Sequence, residues 1–177
     1  MQPISTPSRT APTLSRRQWL TTALPLLGAG VAAITLPRWS QAAAPQGTPV
    51  ELWKDPSCGC CHDWVTHMEE AGFQFKVHDI GNTGARARLG LPQKLGSCHT
   101  ALVGGYVIEG HVPAADVRRL LQQKPNALGL AVPGMPVGSP GMDGPVYGNR
   151  RDPYDVLLVA RDGSTRVFSS YHQGAKA

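Results

Sequence analysis

Val50-Glu51-Leu52-Trp53-Lys54-Asp55-Pro56-Ser57-Cys58-Gly59-Cys60-Cys61 is the stretch on which the reading of this 177-residue chain turns. Its first five residues alternate apolar with polar, the period of a half-buried strand. Asp55-Pro56-Ser57 breaks that strand. Cys61, Trp64, Val65 and Met68 then recur at helical spacing, which predicts a helix over residues 58–71 with Ser57 as N-cap and Gly72 at its end. Three thiols in four residues therefore stand where a strand hands over to a helix. On a helical lattice Cys58 and Cys61 share the face that continues into Trp64 and Met68, and Cys60 turns away. Free amide N–H groups and the positive helix end favour thiolate there, so these residues are poised as nucleophiles or metal ligands.

Outward from this point, Phe73 to Ile80 alternates again and is predicted as a second strand. Residues 81–97 read as loop with at most short helices. Thr100 to Val103 and Tyr106 to Ile108 flank Gly104-Gly105, a hairpin signal. Pro113 opens a second helix, which carries Val117, Leu120 and Leu121 on one face and stops at Lys124-Pro125. From Pro125 to Gly148, 11 of 24 residues are Gly or Pro, so no regular element is expected. Tyr154 to Val159 and Thr165 to Phe168, around Asp162-Gly163, predict a last hairpin added to the edge of the sheet. The β-α-β-β-β-α order shows no internal repeat.

The formal charge is +5, from 17 basic and 12 acidic residues, but four arginines (Arg9, Arg16, Arg17, Arg38) lie in the first 42 positions, which hold no acid. The remainder is close to neutral and offers no electrostatic reason to expect nucleic acid. Arg16-Arg17 precedes a weakly apolar run, Leu20 to Leu36, and small residues cluster at Ser40 and Ala42 to Ala44. This resembles a twin-arginine type of bacterial export signal, residues 1–42, cleaved near Ala42. The run is interrupted by Pro25 and is short for a bilayer span, so the mature protein is expected in the periplasm without a membrane span. A short linker (43–48), a core (49–124) and a Gly/Pro-rich loop with a C-terminal hairpin (125–177) packed on the same domain complete the expected organisation.

The fourth cysteine, Cys98, precedes His99 and the third predicted strand. A β-α-β start with Cys-x-x-Cys opening the helix resembles the thioredoxin-like fold, in which the loop before the third strand lies against the helix N-terminus. The expected fold class is thus α/β, a thioredoxin-like three-layer sandwich with an added C-terminal loop and β-hairpin. That resemblance places Cys98 beside Cys58, Cys60 and Cys61, while the lack of a proline at position 99 argues against ordinary dithiol exchange. Convergent thiolates form a soft site suited to Cu(I), Zn or iron–sulfur clusters, and Cys-x-Cys-Cys does not match ferredoxin spacings. A disulfide framework is the competing reading for four cysteines in an exported chain. Adjacent Cys60 and Cys61 pair only under strain, and a domain of this size needs no staples to fold.

Four motifs taken together, Lys54 to Cys61, Ser97-Cys98-His99-Thr100-Ala101, Gly105 to Pro113 and Gly129 to Met142, resemble the CopG-like family of periplasmic metal-binding proteins, formerly a domain of unknown function. The resemblance spans about residues 49–171. It implies copper, bound by Cys58, Cys60, Cys61 and Cys98. Copper as Cu(I), in a centre of more than one ion, is the expected cofactor; the expected partners are the metal and other periplasmic copper-handling proteins. Met135 and Met142 are weaker candidates, since a thioether suits Cu(I), against a packing role in the loop. His99, beside Cys98, and His111 are weaker candidates as ligands or donors behind the ligands. Trp53 and Trp64 read as core. A metal-binding protein is expected more than an enzyme, with redox activity open; a thiol–disulfide oxidoreductase using Cys58 and Cys61 is the alternative, and a structural zinc site the third reading.

Overall fold

The computed structural model describes residues 47–174. The export-signal reading of residues 1–42 and most of the linker lie outside the described residues. The strands are β1 (Thr48–Lys54), β2 (Phe73–His78), β3 (His99–Val103), β4 (Tyr106–Glu109), β5 (Gly129–Ala131), β6 (Tyr154–Val159) and β7 (Thr165–Tyr171). The helices are α1 (Gly59–Glu70), α2 (Thr83–Arg88) and α3 (Ala114–Gln123), with 3-10 turns at Gln93–Leu95 and Pro145–Tyr147. All seven strands join one mixed sheet in the order β2-β1-β3-β4-β5-β6-β7. β1 runs parallel to β2 and antiparallel to β3, and β3 is antiparallel to β4.

Alternation along the central strands covers the sheet on both faces. In β4, β5 and β6, Ile108, Leu130 and Leu158 enter one core with Trp64 and Met68 of α1 and Val117 and Leu120 of α3. Their neighbours Val107, Ala131 and Val159 enter a second core with Leu91 and Leu95, which follow α2. Successive strand residues point to opposite faces, so the two cores define a layer on each side of the sheet. Ile108, Leu130 and Trp64 are fully buried.

Two local expectations are corrected. Gly/Pro density between 125 and 148 predicted no regular element, yet β5 forms there, parallel to β4 and antiparallel to β6. Its three residues are all buried, so pairing on both sides overrides weak local propensity. Through it the C-terminal hairpin β6–β7 extends the sheet to its edge, as the sequence predicted. The N-cap of α1 is Cys58 and not Ser57. Ser57 instead gives its N–H (2.9 Å) and hydroxyl (2.6 Å) to Asp55 Oδ1, a turn that closes before the helix begins. At the far end of α3, Lys124 takes a left-handed conformation, φ 47°, and stops the helix where Pro125 follows. No helix among the described residues is long and apolar enough to cross a membrane.

Candidate metal centre

Sheet register brings the four cysteines together. Lys54, the last residue of β1, pairs with His99, the first of β3. The chain leaving β1 toward Cys58 and the chain entering β3 from Cys98 are therefore neighbours, although 37 residues separate Cys61 from Cys98. Cys58 Sγ lies 3.6 Å from Cys60 Sγ, which lies 3.9 Å from Cys98 Sγ. Cys58 and Cys61 are joined in a disulfide, with Cα atoms 5.4 Å apart, and Cys60 and Cys98 are free thiols. One sulfur from each of the four falls within 4.8 Å of every other, a grouping able to hold a metal ion.

Cys60 is turned away from the buried face of Cys61, Trp64 and Met68, as the helical lattice predicted, yet its sulfur still meets those of Cys58 and Cys98. Cys58 stands outside the lattice, at an extended cap position with φ −75° and ψ 95°. Cys60 belongs to the open first turn, where only Gly59 precedes it on the helix, and it reaches over that end to both Cys58 and Cys98.

The histidines are placed by the β3–β4 hairpin. Val103 pairs with Tyr106 across the two-residue turn Gly104-Gly105, whose φ values of 56° and 84° fit a turn that only glycine adopts without strain. The same register pairs Thr100 with Glu109, and its continuation sets Cys98 opposite His111. Cys98 Sγ is 3.1 Å from His111 Nε2 and 3.3 Å from His99 Nδ1, and these three residues form a second group able to hold a metal. His111 Nδ1 lies 2.8 Å from the carbonyl oxygen of Pro140, which can only accept, so Nδ1 carries the proton. Burial holds the ring's pKa down, and the neutral ring then offers a lone pair at Nε2 to Cys98. Burial, reinforced by Cys60, pushes the Cys98 thiol up to about 12, so without a metal it is protonated and donates to His111 Nε2. His99 is fully buried against Trp64 (ring centroids 4.4 Å apart); its pKa is driven well down by burial, and its Nε2 has no hydrogen-bond partner.

The two methionines part company. Met142 is buried and its thioether accepts the hydroxyl of Tyr147 at 3.3 Å, a packing arrangement. Met135 is 53% exposed and lines, with Cys98, Ser97, Gln93 and Gly134, an open cleft of about 380 Å³. Trp53 and Trp64 are both core residues, and the Trp64 indole donates to Val112 O at 2.9 Å. Residues that the sequence reading passed over sit directly behind Cys98: Arg86 and Glu109, both buried, meet at 2.8 Å beside Ser97. The signal was there in Glu109, a carboxylate ending a strand otherwise made of Tyr, Val and Ile.

Fold and site together define an α/β protein with a cysteine cluster, at a helix start, suited to a soft metal ion. A family model described as "Protein of unknown function, DUF411" matches residues 95–142. Two solved structures, forms 1 and 2 of "Copper resistance protein copG", are each 43% identical with a TM-score of 0.65, and the match covers 71% of this chain and 98% of theirs. This chain belongs to the CopG-like family. No curated protein sequence matches it.

Proposed function

We propose that the protein binds copper as Cu(I) in a thiolate site made by Cys58, Cys60, Cys61 and Cys98, takes more than one ion per chain, and serves copper handling or resistance in the periplasm. The observation that carries this reading is the approach of four sulfurs within 4.8 Å, one of them delivered from a remote loop. Thiolates are soft ligands, and clustered thiolates repel one another unless shared cations offset that repulsion. The family neighbours named for copper resistance support the same metal. His111, whose Nε2 lone pair already faces Cys98, is the best placed of the weaker ligand candidates; His99 stands behind it, and Met135 is the more accessible of the two methionines. The Arg16-Arg17 leader supports export, by the twin-arginine route, to the periplasm. The β2-β1-β3-β4 order, with a Cys-x-x-Cys at the first helix, supports a thioredoxin-like core.

The Cys58–Cys61 bond has to open before all four sulfurs can serve. Two electrons and two protons from a dithiol reductant give two thiols and leave the reductant oxidised. That same bonded pair favours the second reading, thiol–disulfide exchange by Cys58 and Cys61; a structural zinc site is the third.

Anaerobic titration of the reduced protein with Cu(I), against a chromophoric chelator, tests the proposal. Saturation above one copper per chain is expected, with loss of binding in a variant lacking Cys58, Cys60 and Cys61. No uptake, or equal affinity in the variant, rejects it. Efficient turnover of a disulfide substrate by the metal-free protein would promote the exchange reading, and preferential retention of zinc the structural one.

A further inference from the structure

We propose that the buried Arg86–Glu109 pair is the positioning element of the metal centre, gripping the Ser97 peptide so that Cys98 stands within reach of Cys60 before any metal arrives. The inference rests on the copper-thiolate reading above and concerns residues that never touch the metal.

The grip acts on both polar ends of one residue. Glu109 Oε1 accepts the Ser97 N–H at 2.6 Å and Arg86 Nε at 2.9 Å. Arg86 Nη2 donates to Ser97 O at 2.6 Å, joined there by Asn82 Nδ2 at 3.1 Å. Glu109 Oε2 accepts the Thr100 hydroxyl at 2.6 Å, and that hydroxyl accepts Asn82 Nδ2 at 3.2 Å. The residues on either side of Cys98 in this web, Ser97 and Thr100, are thus tied to one carboxylate.

The layer structure explains why these partners meet. Glu109 shares the sheet face of Val107, which the segment around α2 covers, and α2 supplies Arg86. The Glu109 side chain is 0% and the Arg86 side chain 6% exposed. A buried ion pair is weak support for stability, because desolvation offsets most of its Coulombic attraction. This one spends its hydrogen-bonding capacity on a loop that otherwise has no regular pairing and that carries the single cysteine outside the Cys-x-Cys-Cys motif. Cys98 is then fixed 3.9 Å from Cys60 by contacts to the backbone beside it as well as by its own contact with His111. Groups behind metal ligands typically cost about 10- to 100-fold in affinity when removed.

The test compares Glu109→Gln with Asp116→Asn in the purified, reduced protein. Asp116 is likewise buried and hydrogen-bonded, to Ser169 (2.6 Å) and Tyr171 (2.8 Å), but it ties α3 to β7 and serves as the stability control. Glu109→Gln should weaken Cu(I) binding about 10- to 100-fold and reproduce the stoichiometry and near-ultraviolet thiolate-to-copper band of Cys98→Ser. Asp116→Asn, at comparable loss of Tm, should keep the wild-type band and copper content. If Glu109→Gln does not fold, Asn82→Leu, outside the ion pair, is read in the same way. Wild-type affinity and band in a folded Glu109→Gln or Asn82→Leu protein overturns the inference, as does equal copper loss in Asp116→Asn. Absence of Cu(I) uptake by the wild-type protein is a different failure, that of the copper reading itself, and the inference falls with it.

Discussion

Cys98 and His111 face one another across the open end of the β3–β4 hairpin, Sγ to Nε2 3.1 Å apart. The imidazole is held from behind by the Pro140 carbonyl, so the neutral ring presents its lone pair toward the sulfur. Replacing His111 with alanine should leave the four sulfurs in place but lower Cu(I) affinity, by about 10-fold, and His99→Ala should have the smaller effect. Competition titrations of both variants check the order; equal affinities would remove His111 from the centre.

Cys98→Ser should keep the fold and lose copper or change its stoichiometry. The half-buried thiol is replaced by a group of similar size that can still donate to His111, so Tm should move by only a few degrees, an expected cost of about 1 kcal/mol. Native mass spectrometry of the Cu(I)-loaded protein reads the stoichiometry directly.

Thiol titration should count two free groups in the protein as it stands, Cys60 and Cys98, and four after reduction. Cu(I) capacity should rise with that count. Capacity independent of the state of the Cys58–Cys61 bond would show that those two sulfurs are not ligands.

A pH effect on folding should arise at His67, on the helix that begins at the cysteines. His67 Nε2 accepts the N–H of Ala114, the first residue of α3, at 3.1 Å, which only the neutral ring can do. Burial lowers the His67 pKa below its ordinary value of 6.5. The unfolded chain therefore takes up the proton first as pH falls: this contribution is complete above pH 6.5 and is lost as pH drops below it, through the folded-state value. The loss should be about 1 kcal/mol, the worth of a helix cap. Urea unfolding between pH 8 and pH 5 should show a smaller acid-side loss in His67→Leu than in the wild type, the remainder coming from the buried His99 and His111.

Gly110→Ala should disturb the centre from outside it. Gly110 has φ +69°, and a Cβ there would lie 2.5 Å from Ser97 Oγ and 2.6 Å from Val132 O. The left-handed conformation and the clash together should cost about 2 kcal/mol or more and displace the Ser97-Cys98 loop. Lower Tm together with weaker Cu(I) binding is expected; unchanged copper affinity would show the loop to be more tolerant than its packing indicates.

The Cys98–His111 relationship is legible in the sequence, because a two-residue Gly-Gly turn fixes which residues oppose one another along the whole hairpin. The β1-α1-β2 start is legible for the same kind of reason, since its apolar residues keep the period of each element. The meeting of Cys60 with Cys58 is not, because Cys58 stands outside the helical lattice at an extended cap. β5 escapes as well: three residues among glycines and prolines carry no period of their own, and only β4 and β6 on either side make them a strand. Arg86 and Glu109 meet through the packing of α2 on the sheet, a tertiary relation that no local pattern records.

The loop that carries Pro140 holds the His111 imidazole toward the cysteines, and it lies beyond β5 in the chain. The centre is therefore drawn from four stretches, at residues 58–61, 98–99, 111 and 140, and three of them must travel to join the first. An unfolded chain offers a metal only the local Cys-x-Cys-Cys. Whatever extra affinity the assembled centre has over that tripod is returned to the folded state as mass action, growing with free metal concentration. Copper scarcity and copper excess would then set different lifetimes for the same polypeptide against proteolysis, making abundance itself a register of the metal.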